Sequence, residues 1–236
     1  MARTQKKITP QQGEEWSPSL LKSRLYGALL VDIIIGDLAP GQRLDEKALA
    51  ARYGGGAPDN GHKGGGHAGG GLAGVREALA RLALEGLVVR RARVGTMVAP
   101  LDPGESREAF LARALIEIEC AGLAARHATP AEVKAIRATF DGGEAAVKKN
   151  DRRALAAMDE AFHVAIAAAS HNRVLAKLVT TLHHTTARFW LITAGPSSQK
   201  ESYEALTQHR ALADAIAAGD VAAAQAAMRV ALGELS

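Results

Sequence analysis

The stretch that decides the fold is Val75 to Val98, VREALARLALEGLVVRRARVGTMV. Its first part puts Val75, Leu79 and Leu82 on one face of a helix, and Glu85-Gly86 supplies the stop. Beyond that glycine, apolar and polar residues alternate on both sides of a turn near Val94-Gly95, the pattern of a small β-hairpin. The sequence on either side determines what this helix and its arginine-rich hairpin complete.

Upstream, Ser17-Pro18 reads as a capped helix start, and Leu21, Leu25 and Leu29 recur at four-residue spacing up to Gly36. Pro40-Gly41 makes a turn, and Asp45 can cap a second helix, EKALAARYG, that stops at Gly54. Three helices followed by a basic hairpin is the order of a winged helix-turn-helix. There the third helix enters the DNA major groove, the second crosses the backbone and the hairpin approaches flanking phosphate. Arg90, Arg91 and Arg93 sit where such a wing needs cations. The same arginines would also serve as a charged edge that resists strand pairing.

Charge agrees with a polyanion at this end. Residues 1–100 carry 14 Lys and Arg against 9 Asp and Glu, whereas residues 101–236 carry 15 against 16. At 236 residues the chain is long enough for two domains, and its 47% apolar but 4% aromatic content favours helices packed through alanine and leucine. The single cysteine, Cys120, excludes an internal disulfide, and the N-terminal residues lack the apolar core of a signal peptide. A cytoplasmic location is expected. LLVDIIIG is short and holds Asp32, so no membrane span is expected.

The residues from Gly36 to Val98 carry a resemblance. Gly36-x-Leu38-x-Pro40-Gly41-x-x-Leu44-x-Glu46-x-x-Leu49-Ala50, then Val75-Arg76-Glu77-Ala78-Leu79-x-x-Leu82-x-x-Glu85-Gly86-Leu87-Val88, then Gly95-x-x-Val98, resembles the GntR family of bacterial transcriptional regulators. The resemblance implies an operator-binding winged helix in which Lys47, Arg76 and the wing from Arg91 to Gly95 approach DNA. The departure lies between the second and third helices. The family has a short Ser-Arg-Thr-Pro turn there, while this chain has twenty residues, Gly55 to Gly74, ending Gly71-Leu72-Ala73-Gly74. The cap, the base-reading arginine and the helix-starting proline are absent. Losing one bidentate contact to guanine costs about 1–3 kcal/mol of discrimination, so weakened base reading is expected. Ten glycines among residues 54–71 point to a loop without fixed structure. Family-like sequence resumes in frame, as it also would after two compensating frameshifts.

Past Pro100-Leu101-Asp102-Pro103 the chain reads as helices at 105–127, 130–149, 152–169, 172–193, 199–218 and 220–235, an antiparallel bundle able to enclose a ligand. Thr129-Pro130-Ala131-Glu132 is a capping box. The expected organisation is a tail at 1–16, a DNA-binding domain at 17–100 with its Gly-rich loop at 54–74, a linker at 101–104 and a helical domain at 105–236. Asp159 and His163 lie one helical turn apart, a spacing at which both reach one metal ion, and His209 could join from a facing helix. On spacing alone, a hydrogen-bonded set serves equally.

REAFLARALIEIECAGLAARHA, MDEAFHVAIAAASHNRVL and QHRALADAIAAGDVAAAQAAM resemble the effector-binding helical (FCD) domain of the FadR-type branch of GntR regulators. The resemblance implies a divalent metal such as zinc on Asp159, His163 and His209, helping to hold a carboxylate effector. The family's final-helix histidine falls at Ala231, so one protein ligand is missing. His183 and His184 are possible substitutes, but their neighbours suggest ordinary polar or packing roles. Arg113 matches an effector-domain arginine that could grip a carboxylate, and it could equally pair with Glu117 at i,i+4. Arg188 is a second candidate of that kind. The reading is a mainly α, homodimeric, non-enzymatic regulator that binds a double-stranded operator under control of a carboxylate metabolite. The alternatives are a ligand- or metal-binding protein that has lost specific DNA reading, and a metal-dependent enzyme built on Asp159, His163 and His209.

Overall fold

A computed structural model describes residues 18–53, 71–194 and 197–233. The N-terminal part contains helices α1 (Pro18–Ile35), α2 (Glu46–Tyr53) and α3 (Leu72–Leu84), then strands β1 (Val88–Arg91) and β2 (Gly95–Val98). The strands form an antiparallel hairpin with Val88 opposite Val98 and Arg91 opposite Gly95. Residues 41–44 run along its other edge, where Leu44 N donates to Thr96 O and Val98 N to Gln42 O. Leu25, Leu29 and Ile33 of α1, Leu49 of α2, Val75, Leu79 and Leu82 of α3 and Val88 and Val98 of the hairpin close one buried cluster. The spacing that defined each element thus also defines its buried face.

Asp45 caps α2 by accepting from Ala48 N at 2.8 Å. α3 starts at Leu72, three residues before the Val75 expected from sequence, and its N-cap Gly71 makes no side-chain bond. Glycine has no side chain to offer, so the first amides of α3 lack the usual intramolecular acceptor. Most of the Gly-rich tract, including the expected loop, falls in residues 54–70, outside the described residues.

Helices α4 (Pro103–His127), α5 (Pro130–Ala138), α6 (Gly143–Lys149), α7 (Arg152–Ala169), α8 (Arg173–Thr193), α9 (Gln199–Ala217) and α10 (Val221–Ala231) follow. α4 begins at Pro103 rather than 105, because Asp102 accepts from Gly104 N and Glu105 N with proline in the first turn. The single helix expected over 130–149 is two. Gly142 takes φ +84°, a left-handed conformation that glycine adopts without steric cost, and it breaks the rod between α5 and α6. The last helix ends at Ala231, short of the expected 235, as Gly233 turns left-handed at φ +76°. Thr129 with Glu132 and Ser198 with Glu201 form capping boxes at α5 and α9.

A second cluster fills the bundle, with Ile118, Phe162, Ile166, Leu212 and Met228 among its buried members. The two parts are in direct contact. α1 packs on α7 and α8, and Ala187 and Leu191 of α8 lie against the N-terminal cluster. A Cβ on Gly36, just past α1, would come within 3.2 Å of Ile192, so the chain turn fits closely onto α8. Asp32 of α1 is buried and forms ion pairs with Arg153 of α7 (2.5 Å) and Arg52 of α2 (3.1 Å). Among the described residues no helix is long and apolar enough to cross a membrane.

Candidate functional site

The bundle encloses a cavity of about 270 Å³ whose polar lining includes Arg113, Asp159, His183 and His209. α7 brings Asp159 and His163 to the same face, as their four-residue spacing requires. α8 adds His183 and α9 adds His209. Asp159 Oδ1 lies 3.7 Å from His163 Nε2 and 3.4 Å from His209 Nε2, and its Oδ2 lies 3.7 Å from His183 Nε2. These are ion-pair separations, mostly too long for hydrogen bonds. One falls within and two lie just above the spacing of about 3.3–3.6 Å between donors around a tetrahedral ion bound at about 2.0–2.2 Å.

The His209 orphan at Nε2 supports the same reading, whereas His183 Nδ1 is the ring nitrogen opposite the Nε2 that faces Asp159. His183 Nδ1 and both ring nitrogens of His209 are buried without a hydrogen-bond partner. Such groups cost stability unless something satisfies them. Burial pushes His183 well below the ordinary histidine range. It also takes His209 down to about 4 despite the Asp159 charge. Asp159 is held low against its burial by the neighbouring His163, His209 and Arg113. Neutral imidazoles beside an ionised carboxylate are the protonation states in which these residues ligate metal.

His163 is oriented from behind. Its Nδ1 meets Glu117 Oε2, and Arg113 Nε donates to Glu117 Oε1 at 2.5 Å while Nη1 donates to Thr186 Oγ1 at 3.0 Å. Burial works against the Glu117 charge, but His163 and Arg113 outweigh it and bring the carboxyl to about 2. A carboxylate on one ring nitrogen fixes the ring and leaves Nε2 for the site. Arg113 therefore makes the i,i+4 ion pair and lines the cavity at once.

The structure groups Asp159 and His163 with His183, which the sequence reading weighed as a substitute ligand against a polar or packing role, while His209 stands 3.4 Å from Asp159 but falls outside that group. The candidate ligand atoms of Asp159, His163 and His183 all lie within 4.8 Å of one another. Ala231, at the position of the missing histidine, instead packs against the bundle core. Position 183 gave little sequence signal because its orientation depends on how α8 rotates against α7. Arg188 is not part of the cavity wall. It is buried at the junction, where Nη2 donates to the Ala99 carbonyl.

The next residue pair on the same helices does something different. His184 Nε2 lies 2.8 Å from Glu160 Oε1, and its Nδ1 lies 3.4 Å from Glu85 Oε2 at the C-cap of α3. Tyr26 of α1 donates to Glu85, and Arg81 stacks on the Tyr26 ring at 3.6 Å. Burial disfavours charge on His184, yet the two carboxylates push it up to about 9.

On the N-terminal surface, Lys47, Arg76, Arg90, Arg91 and Arg93 are exposed. Arg76 pairs with Glu46 of α2 at 2.7 Å. Arg93 and Gly95 form the hairpin tip in left-handed conformations. Arg43, absent from the sequence reading, lies beside the wing, since a Cβ on Gly95 would stand 3.6 Å from its Nε.

Comparison with known proteins agrees with this geometry. The family model for the FCD domain matches residues 108–234. A protein of Escherichia coli (strain K12) named as an L-lactate dehydrogenase operon regulatory protein is 34% identical over 180 residues, covering 65% of this chain and 66% of its own. The chain thus spans just under two thirds of that relative. A protein of Paenarthrobacter nicotinovorans named as a D-xylose utilization operon transcriptional repressor is 30% identical over 206 residues, covering 87% of this chain and 83% of its own. The solved structure of E. coli McbR/YncC superposes with a TM-score of 0.74 over 91% of this chain and 94% of that one, at 20% identity, which is a likeness of fold. With an FCD domain behind a winged helix-turn-helix, the chain belongs to the FadR-type branch of the GntR family of transcriptional regulators.

Proposed function

We propose that this protein binds operator DNA through its winged helix, and that a small carboxylate held in the bundle cavity controls the binding. One observation carries the ligand half of this reading. Asp159, His183 and His209 line the cavity, His163 stands 3.7 Å from Asp159, and among the described residues His183 Nδ1 and both His209 ring nitrogens have no hydrogen-bond partner. A divalent metal bound there would supply a fixed positive point for a carboxylate. Asp159 would contribute the charge and the three imidazoles neutral nitrogens, with His183 in place of the histidine missing at position 231. Arg113, whose two hydrogen bonds use Nε and Nη1, would offer Nη2 to the same carboxylate.

In the DNA half, Lys47, Arg76 and the wing residues Arg90, Arg91, Arg93 and Gly95, joined by Arg43, would meet phosphates. Two copies reading a pseudo-palindrome would form a homodimer. Leu111 and Leu115 on α4 and Val174 and Leu178 on α8 support this, being large apolar side chains left exposed in the single chain. Control requires only that the ligand fit one arrangement of α1 against the bundle better than another.

The Gly71 start of α3 without a side-chain cap favours a second reading, in which phosphate contacts persist without base discrimination. Titrating the full chain against genomic-promoter and scrambled duplexes at several salt concentrations separates the two. Operator reading predicts a clear preference among duplexes. The second predicts a steep salt slope and equal affinity for all of them. No binding even at low salt would sink both.

A further inference from the structure

The cavity is not walled by the helical bundle alone. Val31 and Ile34 of α1, a helix of the DNA-binding unit, form part of its surface. Along α8 the wall runs from His183 to Leu191, eight helical steps that span about 12 Å. At the His183 end stand the ligating side chains and Arg113. At the Leu191 end Val31, Ile34, Leu155, Ala187 and Leu191 form an apolar strip, with the half-exposed Trp190 at the rim and Arg152 beside Leu191.

The charged groups that also line the cavity are engaged elsewhere. Arg152 Nη2 donates to Leu191 O at 2.7 Å, Glu160 binds His184, and Glu201 closes the capping box of α9. A short, fully polar acid would therefore occupy only the His183 end and leave the apolar wall against water.

We propose that the ligand is an amphipathic monocarboxylate whose head binds at the His/Asp/Arg113 end and whose hydrocarbon part lies against Val31 and Ile34. This rests on the carboxylate reading of the same site. The first helix of the DNA-binding unit is then a component of the ligand site. Contact between the tail and α1 supplies the differential interaction that a change of domain arrangement needs. The rest of the α1 attachment, the Asp32–Arg153 pair and the close fit of Gly36 on Ile192, lies beside that contact in sequence.

The test is calorimetric titration of the full-length, zinc-loaded chain with acetate, butyrate, hexanoate and octanoate. Burial of each added methylene predicts affinity rising roughly fourfold per carbon until the α1 wall is reached. Val31 is only partly buried, so Val31→Phe should fill the tail space and lower the octanoate-to-acetate affinity ratio by at least tenfold. Val31→Thr, which keeps the volume, should lower it less. Circular dichroism checks that both variants fold. Equal affinity for all four acids would overturn the tail assignment while leaving the carboxylate reading intact, as would a ratio unchanged in Val31→Phe. If none of the acids binds, or if His163→Ala leaves acetate binding unaltered, the carboxylate reading fails and takes the tail assignment with it.

Discussion

Asp159–His183 and Glu160–His184 are consecutive rungs between the same two helices, yet their chemistry is opposite. In the first, Asp159 and His183 stand 3.7 Å apart with a buried ring nitrogen unpartnered, and burial keeps the imidazole neutral. In the second, Glu160 and Glu85 flank the imidazole and hold it charged. Successive residues on a helix point about 100° apart, so His183 faces the cavity while His184 faces Glu85 at the C-cap of α3. A rung left incomplete is available to a ligand. A rung closed by ion pairs from the DNA-binding side holds the two units together, although His184 Nδ1, 3.4 Å from Glu85, also makes no hydrogen bond. The candidate ligand site thus lies within one residue of a contact to the C-cap of α3.

Breaking the first rung should have the largest effect. Asp159→Ala removes the one carboxylate to which all three histidines turn, and the metal content of purified protein should fall from about one per chain to near zero. At a thousandfold excess of zinc over its dissociation constant, the unsubstituted chain should gain about 4 kcal/mol of unfolding free energy over its metal-free form. The variant should gain almost nothing, and equal gains in a denaturant titration would remove the site. Breaking the second rung should leave metal content untouched but cost stability. His184→Ala strands two carboxylates that are only 19% and 26% exposed, at a cost of about 3 kcal/mol, near the low end for a broken buried pair. A variant that instead loses its metal would show the two rungs to be one unit.

A pH series sharpens the contrast. The folded pKa of His184, about 9, lies above its ordinary 6.5. Its contribution is therefore complete below about pH 6.5 and is lost as pH rises through 9. With chelator present, the chain should lose at most about 3 kcal/mol across that window. Facing His184 are Glu160 from α7, Glu85 from α3 and, through Glu85, Tyr26 and Arg81. The measurement is the urea midpoint from pH 6 to 10 in the unsubstituted chain and in His184→Ala. The same slope in both would mean that His184 is not the titrating group.

Much of the molecule was legible because local chemistry encodes it. Asp45 and Thr129 with Glu132 mark helix starts and appear as caps. Val75, Leu79 and Leu82 form the buried face of α3 as their spacing requires. The break at Gly142 had a local signal, the Asp141-Gly142-Gly143 turn, which a single helix over 130–149 overlooks. The site divides in the same way. Asp159 and His163 share one helix and were paired by spacing. His183, named in the sequence reading only as a substitute, depends on the packing of α8 against α7, and Glu117 on that of α4, so local spacing fixed neither.

The sequence by itself determined the order of elements, the uncapped start of the third helix, the basic wing and the i,i+4 acid–histidine pair, all of which follow from interactions within a few residues. Only the tertiary structure decided that His183 turns inward while His184 turns to Glu85, that Asp32 pairs with Arg153, and that Val31 and Ile34 close the cavity. Those contacts join residues far apart in the chain. Their partners are selected by how whole helices rotate and dock to fill a shared core, and no local pattern records that choice.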